Sequence, residues 1–204
     1  MKREISSPPY QRMIDTLRRA NAIAANHELD ALLEQMVDLF IDVVNAEAGS
    51  LYLYDADTDE LVFKVVKGDA RSQGLVGQRF PATRGIAGAA LREQRPIFID
   101  NVEADQRWER TLGELSSLHL RTVYCLPLVL REQAIGVVQV FNLSSSAVDE
   151  EGELALLHDL ADRMASEIEK ARLLEQATSR QRRLNVLVDI ISRLTTTLDR
   201  QEVL

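Results

Sequence analysis

The apolar residues of this chain change period twice along its length, and that change constrains the fold more than any other feature. Near the start, Met13, Leu17, Ala20 and Ile23 recur at steps of three and four, which marks one helix face. After a break at Asn26–His27 the spacing resumes with Leu29, Leu32, Leu33, Met36, Leu39, Phe40 and Val43. From residue 50 the pattern turns β-branched and aromatic. SLYLYD (50–55) and LVFKVVKG (61–68), joined by the turn-rich DADTDE, predict a hairpin with a longer loop. A short strand is expected near Gln78–Phe80. Thr83-Arg84-Gly85 then opens a helix with Thr83 as its N-cap, and Pro96 closes it before a strand at Ile97–Ile99. Residues 105–118 read as an irregular helix. RTVYCLPLVL (121–130) and IGVVQVF (135–141) predict a second hairpin around residues 131–134. Helical spacing returns from about Glu150. Hairpins between helical ends place the chain in the α+β class.

The last helix is longer than a small domain needs. Leu157, Ala161, Met164, Ile168, Ala171 and Leu174 mark one face, and Leu184, Leu187, Ile191, Leu194 and Leu198 follow at strict three-four spacing. The second set suits a coiled-coil seam, but the two sets are out of phase near 175–183. Two tasks are therefore expected: packing on the chain's own domain, then facing another helix. About 40 helical residues would reach roughly 60 Å. Met13, Leu17, Ala20 and Ile23 also align with Leu184, Val188, Ile191 and Leu194, although His27 falls on Leu198. The expectation is that the chain ends inside the opening helices of a second copy of its own pattern, as a piece of a longer tandem protein.

Several function classes are disfavoured. With 24 basic against 32 acidic residues, the net charge of −8 opposes nucleic acid as a partner, because phosphate binding needs a basic field. The opening MKREISSPPY lacks the apolar core of a signal peptide, and runs such as LPLVL are far too short to cross a bilayer. A single cysteine, Cys125, rules out an intramolecular disulfide and a thiolate zinc cluster. A cytoplasmic protein without membrane insertion is expected. There is no Gly-rich phosphate loop of the common spacings, HExxH, CxxC or GxSxG, and His27, His119 and His158 fall in different expected elements. No catalytic or metal-ligating residue is assigned.

Candidate ligand contacts come from polarity and placement. Gln139 is the one polar residue in an apolar strand, so it either lines a polar pocket or meets another side chain. Tyr52, Tyr54 and Tyr124 are strand aromatics with a polar tip. Trp108, the only tryptophan, either stacks on a planar ligand or plugs an empty pocket. Arg84, Arg107 and Arg110 either pair with an anion or are solvated surface residues. Cys125, beside Leu126 and Pro127, reads as a small buried hydrophobe. The selected set is Tyr52, Arg84, Trp108, Tyr124 and Gln139.

Four segments in order resemble a GAF domain, the small-molecule sensory module of signalling proteins. They are HELDALLEQMVDLFIDVVNAEAGSLYLYD, RGIAGAALREQRPIFIDNVEAD, LRTVYCLPLVLREQAIGVVQVFN and ELALLHDLADRMASEIEKARL. The resemblance implies an antiparallel sheet of five or six strands flanked by helices, with a ligand pocket roofed by residues 97–120. It divides the chain into a flexible leader (1–9), a linker helix (10–27), the GAF domain (28–175) and a helical linker with the start of a second repeat (176–204). It also implies a non-catalytic regulatory module that dimerises through its terminal helices and feeds an output such as a histidine kinase. Cyclic-nucleotide-binding members often carry Asn-Lys after the last strand, then Phe and acidic residues. Here Asn142 is followed by Leu143, Val148 stands near the Phe position, and Asp149 and Glu150 remain. A cyclic nucleotide thus stays open as a ligand. A covalent bilin is not expected, because the roof lacks a cysteine, and one cysteine does not suit the family's sulfoxide reductases. A ligand-free dimerising spacer is the alternative role.

Overall fold

The computed structural model describes residues 29–108, 119–143 and 151–201. The expected leader and linker helix, residues 109–118 of the roof, and the loop carrying Val148 and Asp149 lie outside them. The chain divides into two compact units, Met1–Glu167 and Ile168–Leu204.

The first unit is an α+β structure. Helix α1 (Leu29–Val43) leads into strands β1 (Ala48–Asp55) and β2 (Glu60–Lys67). A 3-10 turn (Ser72–Leu75), strand β3 (Arg79–Pro81), helix α2 (Gly85–Glu93) and strand β4 (Ile97–Ile99) follow. After a second 3-10 turn at Val102–Ala104 come β5 (Val123–Leu130) and β6 (Gln133–Phe141). Helix α3 (Glu151–Gln201) starts in this unit and runs through the second. The six strands form one antiparallel sheet in the order β3-β2-β1-β6-β5-β4. Among the described residues, no helix is long and apolar enough to cross a membrane.

Strand alternation gives the sheet two apolar faces. On one, α1 packs over β1, β2 and β6 and buries Leu33, Met36, Val37 and Phe40. The first part of α3 joins this face, where His158 meets the Tyr124 ring edge-on at 6.4 Å. Lys67 pins the end of β2 to α1 by ion pairs to Glu34 and Asp38, each 3.2 Å. On the other face, α2 packs over β5 and β6, and Ile86, Ala87, Ala90 and Leu91 join Tyr52, Phe63, Val123, Cys125 and Val137 in one apolar cluster.

Two close approaches require glycine. At Gly88 a Cβ would stand 2.5 Å from the Ala82 carbonyl oxygen, so only glycine lets α2 sit against its own entry loop. At Gly136 a Cβ would collide with the Tyr52 carbonyl oxygen between β6 and β1.

Local expectations fail in three places. The α2 N-cap is Arg84, in extended conformation and with no side-chain cap bond, rather than Thr83. Helix α2 stops at Gln94, which turns left-handed at φ 50 and donates its N–H to the Ala90 carbonyl; Pro96 follows after the stop. The second hairpin turns on two residues, Arg131 and Glu132, with φ of 48 and 66. Left-handed conformation at both turn residues matches the right-handed twist of the flanking strands, so the ladder continues to Leu130↔Gln133 instead of opening into a four-residue loop.

Candidate functional site

Between the sheet and α2 lies a partly open cavity of about 80 Å³. Its walls follow from strand alternation and register. Ser50 pairs with Gln139 across β1 and β6, and Gln139 pairs with Cys125 across β6 and β5. One row of side chains therefore crosses three strands on the α2 side. Tyr52, two residues after Ser50, shares that face.

These groups form one buried hydrogen-bonded chain. The Ser50 hydroxyl donates to Tyr52 Oη at 3.0 Å, and the Tyr52 hydroxyl donates to Gln139 Oε1 at 2.8 Å. Gln139 Nε2 donates to Cys125 Sγ at 3.3 Å, and the thiol lies 3.9 Å from the Ile86 carbonyl oxygen, its acceptor on α2. A polar group in such a strand is costly unless paired; Gln139 is only 5% exposed and uses both ends of its amide. Burial pushes the Tyr52 phenol well above its ordinary value, and it pushes the Cys125 thiol up to about 12. Both stay neutral at physiological pH.

An aromatic wall adjoins the polar row. Tyr52, Phe63 and Phe80 pack with ring centroids 4.7–5.6 Å apart. Trp108, half-buried, also lines the cavity, as do Ile86 and Ala87 of α2. Asp105 shapes the turn before Trp108: it holds the Arg107 guanidinium at 2.9 and 2.7 Å and accepts the Trp108 N–H on its carbonyl at 3.0 Å. That guanidinium holds the Asp105 carboxyl below the usual carboxylate range.

Of the five residues selected from sequence, Tyr52, Trp108 and Gln139 line the cavity, whereas Arg84 and Tyr124 do not. Arg84 is an exposed cap residue, although its neighbours Gly85, Ile86 and Ala87 reach the cavity wall. Tyr124 neighbours Cys125 on β5, so alternation turns it to the opposite face, toward Phe98 and His158. Tyr54 also stays outside, donating to Asp59 Oδ1 at 3.0 Å. Ser50, Phe63, Ile86 and Ala87 also line the cavity, and nothing in their polarity along the sequence singles them out. The signal that could have found Ser50 was its i, i+2 relation to Tyr52.

Asn142 has a different task. Its Oδ1 accepts the Arg121 N–H at 2.7 Å and its Nδ2 donates to the His119 carbonyl at 2.9 Å and to Glu47 Oε2 at 2.6 Å. It clasps the entry to β5 against the end of β6. Leu143 beside it is buried. Among the described residues, no group of three His, Cys, Asp or Glu side chains could hold a metal ion.

The family model for the GAF domain matches residues 26–169. The chain is 28% identical over 122 residues to the probable 3',5'-cyclic phosphodiesterase pde-5 of Caenorhabditis elegans, a match covering 56% of this chain and 17% of that protein. The GAF domain of a phosphoenolpyruvate-protein phosphotransferase from Coxiella burnetii superposes with TM-score 0.70 at 22% identity, over 81% of this chain and 98% of that one. The free methionine-R-sulfoxide reductase of Neisseria meningitidis, solved with its substrate, superposes with TM-score 0.66 at 21% identity, over 85% and 98%.

Proposed function

Because the chain belongs to the GAF family of sensory and regulatory modules, we propose that its first unit is a non-catalytic receptor for a small molecule held between the sheet and α2. One observation carries this reading: the Ser50–Tyr52–Gln139 row lines a cavity and does not meet a sealed apolar core. A few placed polar groups among apolar walls is the usual make-up of a ligand site. The volume of about 80 Å³ is below the ~300–1,000 Å³ of pockets that enclose a drug-sized ligand. A larger ligand would therefore shift part of the wall, and that shift is the signal: it favours one arrangement of the wall over another.

The second unit supplies the route outward. On α3, Leu173, Leu174 and Leu184 are 49–61% exposed. Solvated leucines on a long helix favour a partner helix, and a second copy of this chain is the partner proposed. An output module such as a histidine kinase would then receive the bias through the paired helices.

A cyclic nucleotide is the second reading, supported by the likeness to pde-5. Thermal melting with cAMP, cGMP and small neutral aromatic amides tests the receptor proposal. A ligand at 100 times its dissociation constant adds about 2.7 kcal/mol, a rise in midpoint of roughly 5–10 °C for a chain of this size. A shift with one class supports a receptor for that class. No shift with any of them would favour the ligand-free dimerising spacer.

A further inference from the structure

We propose that the cavity selects a neutral, largely apolar molecule with one hydrogen-bonding edge, read by the Gln139 amide, and discriminates against anions. The proposal deepens the receptor reading and rests on it.

Lys67 is the one charged residue among the described lining of the cavity. Its ammonium serves the other face of the sheet. Lys67 pairs with Gly49, and a Cβ at Gly49 would point at Ile41 and Val37 of α1. Residues directly opposite in an antiparallel pair share a face, and Lys67 Nζ accordingly meets Glu34 and Asp38 of α1 at 3.2 Å. Among the described lining residues no charged side chain is left to neutralise a buried anion, and Arg107, whose guanidinium acts on the Cys125 thiol, is already held by Asp105; an uncompensated buried charge is strongly unfavourable. The first turn of α2 reaches the cavity at Gly85, Ile86 and Ala87. A helix N-terminus carries only about half a positive charge, which does not replace a cation.

A glutamine amide offers two N–H donors and two acceptor lone pairs. Among the described residues, Gln139 spends one lone pair on Tyr52 and one N–H on Cys125. One donor and one acceptor remain on a side chain that lines the cavity. Their complement is a group that both donates and accepts, such as an amide or lactam edge. The rest of the wall, from Phe63 and Phe80 to Ile86 and Trp108, offers apolar contact.

Benzamide, benzoate and toluene separate the elements of this claim, because they share a ring and differ in charge and polarity. Dissociation constants are measured by NMR titration of the labelled chain, which needs no variant. Benzamide should bind, with benzoate and toluene each weaker by about tenfold or more. Gln139→Leu should bring benzamide down to the level of toluene. Tyr54→Phe, outside the cavity, should leave the preference for benzamide over benzoate unchanged. Benzoate binding as tightly as benzamide would overturn the charge argument, and so would cAMP or cGMP binding more tightly than benzamide. Equal binding of benzamide and toluene would overturn the role of Gln139. Failure of all these probes would overturn the proposal together with the receptor reading beneath it.

Discussion

Ser50, Tyr52, Gln139 and Cys125 hold one another in place, so their substitution energies should not add. Tyr52→Phe leaves the Ser50 hydroxyl and Gln139 Oε1 short of a partner, and Gln139→Leu strands the Tyr52 hydroxyl. Each should cost about 1–3 kcal/mol, the penalty for an orphaned buried polar group. The double variant leaves fewer orphans and should cost clearly less than the sum. Urea unfolding of the four proteins checks this, and strict additivity would mean that the chain of bonds is incidental. Cys125 yields a second prediction. Burial holds its thiol neutral in the folded state, up to about 12 against an ordinary value of 9.0. A raised folded value stabilises the fold below the unfolded value, and that contribution is lost as pH rises from about 9 toward 12. Wild type should therefore lose more stability than Cys125→Ala over that interval. The native thiol should also resist thiol reagents at neutral pH and react once the chain is unfolded in urea. Gln139 was legible in sequence because one amide in an apolar strand demands a partner. Tyr124 is polar and strand-borne like Tyr52, but it stands on the face of β5 opposite Cys125 and so away from the cavity; sequence gives the two faces and not which of them meets α2.

The strands and the order of elements follow from the change in hydrophobic period: β1, β2, β5 and β6 lie in β-branched and aromatic runs, while β3 is only the short Arg79–Pro81. The ends of elements do not follow so directly. Gln94 and the Arg131–Glu132 turn take left-handed conformations with no glycine to announce them. A non-glycine residue there costs about 1–2 kcal/mol; pairing of β5 with β6 overrides the preference at the hairpin turn, and Gln94 takes it as the C-cap of α2, with its N–H on the Ala90 carbonyl. Replacing Glu132 by Gly relieves that strain and should raise the melting midpoint by roughly 2–4 °C. Gly136 poses the opposite case. Gly136→Ala drives a methyl against the Tyr52 carbonyl oxygen and should cost about 1–3 kcal/mol. A calorimetric scan showing Gly136→Ala as stable as wild type would mean that β1 and β6 are not pressed together there.

At the scale of the whole molecule the two units make separable predictions. Removal of residues 176–204 deletes the Leu184 seam and should weaken self-association while leaving the melting of the first unit in place. Sedimentation of the shortened chain, still fully dimeric at low micromolar concentration, would exclude residues 176–204 of α3 as the dimer contact. The GAF resemblance, and with it a pocket, was legible because four family-like segments occur in order, whereas the row of side chains that lines the cavity was not, because it arises from register. Only when β1, β6 and β5 are aligned do Ser50, Gln139 and Cys125 fall into one row. The receptor claim is tested most directly through Trp108, the single tryptophan and a wall of the cavity. Its emission is titrated with benzamide in wild type and in Ala87→Leu, which fills the wall beside it, after circular dichroism shows both folded. Wild-type emission should change saturably, and the change should be lost or much weakened in Ala87→Leu. A wild-type emission that never saturates, or the same titration in both proteins, would contradict the receptor claim.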